Sequence, residues 1–244
     1  GTRTLVCIVA AAALLGVYKL ARSLTSNAAA AVVTALTAIY PVWFAQSTLA
    51  HADIFAAAFT LSNIAIYLDP NANLPAPTAP RRSRTLAAIL FSLAALCKEA
   101  AIVTPAALAL WEAIQWLQNR RDPNANRQHL TWTAALLLPI VPLAAWYAYH
   151  YHHTGFIFGN PEYLRYNATA NLDPHRIALC LYHRLLHLTA HMNLFVPVVC
   201  AVAVLFIPIA ADAPHLLPKN TLKAIAVVLL ANWIAFSVLG GALL

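Results

Sequence analysis

The stretch that decides the fold runs from Ala28 to Leu68 and reads AAAAVVTALTAIYPVWFAQSTLAHADIFAAAFTLSNIAIYL. Among its 41 residues, Asp53 is the only Asp, Glu, Lys or Arg. A bilayer crossing takes roughly 20 apolar residues, so the stretch predicts two transmembrane helices. The polar residues from Gln46 to Asp53 mark the turn between them. An ionisable side chain in such a place is costly and indicates a functional site.

The composition of the whole chain agrees with this interpretation. Hydrophobic residues make up 61% and charged residues 9%, and the mean hydropathy is +0.68, whereas soluble domains average about 25% charged residues. The apolar stretches are continuous rather than alternating, which favours helices over a β-barrel. The sequence therefore predicts an all-α, polytopic membrane protein whose partner is the lipid bilayer, with a single transmembrane domain over 1–244.

The apolar pattern predicts about eight spans, near 4–20, 28–46, 53–68, 85–97, 99–117, 130–149, 180–208 and 222–240. Ten of the fifteen Lys and Arg residues lie in four alternate loops, which the positive-inside rule makes cytoplasmic. The extracytoplasmic face then holds Asp53, Lys98-Glu99 and an outer loop at 150–179. Topology explains the net charge of +7, so no nucleic-acid partner is predicted.

The segment 85–117 is too long for one span and too short for two full ones. A single crossing would place one of its Arg-rich flanks outside the cell. We therefore predict two short helices that meet at Lys98-Glu99, with Pro105 favouring a break or bend nearby.

Asp53 and His51 form the first candidate site. The carboxylate of Asp53 could bind a metal, accept a proton from a nucleophile, or hold a cation such as Lys98. The structural alternative is that Asp53 caps the helix that begins near Ile54. His51 is either its partner or an interfacial side chain.

Lys98-Glu99 and the outer loop supply the other candidates. Lys98 suits a phosphate and Glu99 would hold it, the alternative being mutual neutralisation at the membrane edge. In the loop, aromatic faces suit sugars or isoprenoid tails and Arg suits phosphate, although an interfacial aromatic belt would also explain the aromatics. The loop candidates are Glu162, Tyr163, Arg165 and Tyr166.

Histidine and cysteine residues do not predict a metal centre. His183, His187 and His191 share a helix face at i, i+4, i+8, but no acid or Cys lies nearby in sequence to complete a zinc site. Hydrogen bonding between helices or at the interface is the default interpretation. The four Cys residues are scattered through apolar segments, which is typical of buried thiols.

Two motifs in this order resemble a known family. Tyr40-Pro41-Val42 through Asp53-Ile54-Phe55, followed by the segment from Leu96-Cys97-Lys98-Glu99 to Pro105, resembles the lipid-dependent glycosyltransferases of the GT-C fold. The sequence is most similar to bacterial protein O-mannosyltransferase-like enzymes and to tetratricopeptide-containing transmembrane O-mannosyltransferases. The outer loop around Phe158–Asn167 is similar to a stretch in bacterial members.

The resemblance implies inverting transfer of a mannose-like sugar from a polyprenyl-phosphate donor to a hydroxyl of a protein or glycan acceptor. It places the reaction on the extracytoplasmic face, in a bacterial inner membrane. No cofactor is expected beyond an optional divalent metal. The family's main catalytic acid lies in its first outer loop, yet residues 1–52 contain no Asp or Glu. We therefore expect a fragment that begins after that loop and is inactive alone, with Asp53 as the supporting acid. The alternatives are a secondary transporter, in which Asp53 and Lys98-Glu99 relay protons, and a non-catalytic membrane scaffold.

Overall fold

A computed structural model describes residues 1–49, 51–69, 81–119, 121–157, 162, 173–191, 195–196, 198–199 and 219–239. Every regular element within these ranges is helical, which confirms the all-α prediction. The elements are α1 (Thr2–Leu24), α2 (Asn27–Ile39), α3 (Pro41–Thr48), α4 (Ala52–Tyr67), α5 (Arg81–Cys97), a 3₁₀ helix (Glu99–Ile102), α6 (Val103–Gln118), α7 (Pro123–Leu137), α8 (Ile140–Thr154), α9 (Pro174–Thr189) and α10 (Lys219–Leu239).

The chain divides into two compact units, residues 1–157 and 158–244. In the first unit α4 packs against α1 and α5, and α6 packs against α7. In the second, α9 packs against α10. The single transmembrane domain over 1–244 stays a prediction.

Four helical segments of the described residues are long and apolar enough to cross a membrane, or five if a bent pair counts as one span. The four are Thr2–Leu24, Glu99–Gln118, Pro123–Thr154 and Asn220–Val238. The chain is therefore an integral membrane protein. The prediction of eight spans exceeds this number, because α4 is a shorter apolar helix and α5, at the predicted span 85–97, is not among the candidates. The predicted span 180–208 lies partly outside the described residues.

The predicted span 28–46 is not one straight helix. It consists of α2 and α3, which meet at an angle of 62°. Tyr40 between them is extended, with φ −62° and ψ 128°, because the ring of Pro41 disfavours helical backbone in the residue before it. Pro41 also lacks an N–H to donate, so it opens α3 as its first residue.

Small residues fill the helix contacts of the first unit. On α1, Val6, Ala10 and Ala13 are almost fully buried, while Leu5 and Leu15 are 53% and 65% exposed. A water-soluble bundle would bury its large apolar side chains instead. Small residues inside and leucines outside are typical of helices that pack within lipid.

The chain reverses direction at Lys98-Glu99, as predicted. Backbone geometry changes from α5 to an extended Lys98 (φ −150°, ψ 118°) and then to the 3₁₀ helix. Lys98 contacts Asp53 at the start of α4, and Glu112 contacts Tyr67 at its end. Since both contacts join residues 45 apart, α4 and α6 run in the same direction, and α5 runs between them in the opposite one.

Candidate functional site

Asp53 lies in the first turn of α4, with one partner on each carboxylate oxygen. Its Oδ1 accepts a hydrogen bond from Lys98 Nζ. Its Oδ2 lies 2.9 Å from His51 Nδ1. Two sequence segments that are far apart in the chain therefore meet at one end of the first unit, which we call the Asp53 end.

The interpretation of Asp53 as a helix cap is wrong. The helix begins at Ala52, so that His51 occupies the capping position, and no side chain caps the helix. Asp53 is the second residue of the helix, where its negative charge also interacts favourably with the positive end of the helix dipole. Its side-chain oxygens are used for Lys98 and His51 instead of backbone N–H groups.

Neighbouring helices hold this end of the unit together. Val6, Ala10 and Ile54 form a buried cluster, and Trp43 and Phe55 pack against it. The Cys7 thiol donates to the backbone oxygen of Ser47, with a sulfur–oxygen distance of 3.6 Å. The start of α1 and helix α3 thus pack beside the start of α4, which carries the carboxylate.

The side chains of Asp53, Lys98 and His51 remain accessible to a ligand. Their exposed fractions are 60% for His51, 40% for Lys98 and 31% for Asp53. Lys98 has three N–H donors and gives one to Asp53, so two can serve an anion. With Nδ1 of His51 on the carboxylate, its Nε2 is the nitrogen that can exchange a proton with a substrate.

The remaining predicted residues are not part of this contact. The side chain of Glu99 is exposed, and Lys98 pairs with Asp53 rather than with Glu99, because the extended backbone at Lys98 precedes the 3₁₀ turn that carries Glu99. Glu162 is exposed and belongs to the second unit. Tyr163, Arg165 and Tyr166 lie outside the described residues.

The sequence interpretation missed a second polar cluster, around Glu112 on α6. Tyr67 donates its hydroxyl hydrogen to Glu112 Oε1, and His129 Nδ1 lies 2.7 Å from Oε2. Asn119 Nδ2 lies 3.3 Å from His129 Nε2, so the hydrogen-bond network assigns the proton to Nδ1 and leaves Nε2 as the acceptor. Trp132 packs edge-on against Tyr67, with ring centroids 5.2 Å apart.

This second cluster lies at the opposite end of α4, which we call the Tyr67 end. Tyr67 comes 14 positions after Asp53, which corresponds to about 21 Å along the helix. At the Tyr67 end, Arg84 also donates to Thr131 at 3.2 Å, and Thr131 directly precedes Trp132 in the chain. The signal for Glu112 was available in the sequence, as a second acid in the apolar segment Glu99–Gln118.

Among the described residues, no group of three or more His, Cys, Asp or Glu side chains could hold a metal ion. His187 and His191 do meet, with 3.0 Å between their Nδ1 atoms, but both are exposed. They form a histidine pair at the end of α9 without a third ligand in the described part of the second unit.

Comparison with known proteins gives no match: no protein-family model fits the sequence, and neither a curated protein nor a solved structure is similar to it.

Proposed function

We propose that the protein is a membrane glycosyltransferase that moves a sugar, of the mannose type, from a polyprenyl-phosphate donor to an acceptor hydroxyl. The observation that carries the proposal is the contact of Asp53 with Lys98 and His51 at one end of the helical unit. The two motifs that resemble GT-C enzymes supply these residues, and they meet in space.

In this reaction the acceptor oxygen bonds to the sugar's anomeric carbon while the bond from that carbon to the phosphate oxygen breaks. The leaving polyprenyl phosphate gains negative charge, which the free N–H donors of Lys98 can stabilise. Asp53 holds Lys98 in place and keeps the His51 ring oriented. The proton of the acceptor goes to a base, for which His51 Nε2 is the candidate among these three residues.

The wider assignment follows from the same proposal. Glu99 would contact the donor or acceptor from the turn. Glu162, Tyr163, Arg165 and Tyr166 stay candidates for such contacts from the sequence. The site would face the extracytoplasmic side of a bacterial inner membrane. Asp53 would be the supporting acid of the site.

The position of the polar contacts supports the enzyme over the transporter. A proton-relaying transporter calls for ionisable groups near the middle of the membrane. In the first unit, the described side-chain contacts of α4 that involve a carboxylate lie at its two ends instead, at Asp53 and at Tyr67.

The test measures sugar transfer from a synthetic polyprenyl-phosphate sugar in membranes that carry the protein. We expect Lys98→Ala to lower the transfer rate about 10²-fold, the usual cost of losing one group that stabilises transition-state charge, and Asp53→Asn to lower it clearly as well. Lys223→Ala removes an exposed lysine of α10 and should leave the rate unchanged. Wild-type rates in both site variants would overturn the assignment.

A further inference from the structure

A half-open cleft between α1 and α4 lies at the Tyr67 end, away from the proposed catalytic residues. Its volume is about 780 Å³. One wall is a single face of α1 from Ala12 to Ser23, and the other is a face of α4 from Ser62 to Asp69. The cleft belongs wholly to the first unit and is not used by the proposed transfer reaction.

The cleft changes from apolar to charged along α1. Ala12, Leu15 and Gly16 line its first part, followed by Lys19 and Arg22 near the end of the helix. Lys19 comes seven positions after Ala12, which corresponds to about 10 Å of helix rise. Since α1 is long and apolar enough to cross the membrane, the apolar part lies at the depth of lipid tails and the cations at the depth of headgroups.

The close approach of the two helices forms the floor of the cleft. A β-carbon on Gly16 would lie 3.1 Å from Ser62 Oγ and 3.3 Å from Ser62 Cα. Beside this contact Leu15 is 65% exposed, so the apolar part opens sideways, towards the surrounding hydrocarbon. An opening towards hydrocarbon suits an acyl chain and does not suit a water-soluble anion.

The charges at the mouth fit one kind of headgroup. Lys19 and Arg22 are exposed on α1, and Asp69 stands on the α4 side. Two cations against one carboxylate leave one net positive charge for a phosphate diester. Asp69 and the nearby Ser hydroxyls can accept hydrogen bonds from headgroup hydroxyls.

We propose that the α1–α4 cleft is a binding site for an anionic phospholipid of the phosphatidylglycerol type, with its phosphate on Lys19 and Arg22 and an acyl chain along Ala12 and Leu15. The positive-inside rule explains why basic residues follow α1. It does not require them to share a cavity with an apolar wall and a facing carboxylate.

The experiment uses the full chain in nanodiscs and measures the lipid retained after delipidation by native mass spectrometry. The probes are phosphatidylglycerol, phosphatidylethanolamine, phosphatidylcholine and inorganic phosphate. We expect retention of phosphatidylglycerol above the other two lipids. Near a membrane each basic residue contributes a factor of about 5 in affinity, so Lys19→Gln with Arg22→Gln should weaken retention about 30-fold.

The matched control is Arg3→Gln with Lys223→Gln, which removes the same charge from exposed positions outside the cleft. It should retain phosphatidylglycerol like the wild type. Ala12→Trp keeps every charge but fills the apolar part, and should also reduce retention. Any one of four results would overturn the proposal. The lipid is lost equally in the control pair, phosphatidylethanolamine is retained equally, inorganic phosphate displaces the lipid, or Ala12→Trp retains it normally.

Discussion

At the scale of single residues, two carboxylates occupy different environments: Asp53 at the start of α4 and Glu112, which contacts the end of α4. Asp53 is 31% exposed as a side chain, whereas Glu112 is 7% exposed. Water can solvate the first if a partner is lost. The second has no such replacement, so its hydrogen bonds to Tyr67 and His129 matter more for stability.

Removing a partner of each carboxylate should reveal this difference. We expect His129→Ala to lower the free energy of unfolding by roughly 1.5–3 kcal/mol, the range for hydrogen bonds to charged groups. Lys98→Ala should lower it by less than about 1 kcal/mol, as for other exposed ion pairs. Unfolding in detergent measures both, with the exposed His153→Ala as the control; a larger loss for Lys98→Ala would contradict the burial argument.

The site residues show what sequence reasoning can and cannot reach at this scale. The cost of charge in apolar surroundings singled out Asp53 and Lys98, and a cation such as Lys98 was one of the partners proposed for Asp53. The same reasoning was available for Glu112. Its partners could not be found, because Tyr67 is an ordinary aromatic at a span end and the contact depends on the tertiary arrangement that brings Glu112 to the end of α4.

At the scale of helices, charge and proline signals gave different results. Arg-rich flanks correctly predicted the reversal at Lys98-Glu99. Pro105 lies in the first turn of α6, where its missing N–H costs no helical hydrogen bond, so the break precedes it. Pro41 was visible as well, yet the apolar run across it suggested one straight span, and the 62° bend was missed.

The crossing of α1 and α4 depends on a residue without a side chain. We expect Gly16→Leu to lower the free energy of unfolding by about 1–3 kcal/mol, as for other overpacked contacts, because the backbone of Ser62 as well as its hydroxyl stands in the way. Ala11→Leu adds the same bulk on an exposed part of α1 and should have little effect. Equal unfolding curves for the two variants would show that α1 and α4 can separate without cost.

At the scale of the whole molecule, the Asp53 and Tyr67 ends should lie on opposite sides of the membrane. In a background without native cysteines, we expect Thr48→Cys to react with an impermeant maleimide added to intact cells, and Ser23→Cys to react only after the membrane is opened. Both positions are exposed. Labelling of Ser23→Cys from outside would reverse the predicted orientation and move the proposed transfer site to the cytoplasmic face.

The equal spacing of the Asp53–Lys98 and Tyr67–Glu112 contacts has a mechanical consequence. Sliding α6 along α4 by even one turn, about 5.4 Å, would break both contacts together and would leave a buried carboxylate without its hydroxyl partner. The two contacts therefore oppose sliding of the segment from Lys98 to Glu112 along α4. Admission of the proposed lipid-linked donor would then require movement elsewhere, and we expect it at the bend between α2 and α3 at Tyr40-Pro41, beside the Asp53 end.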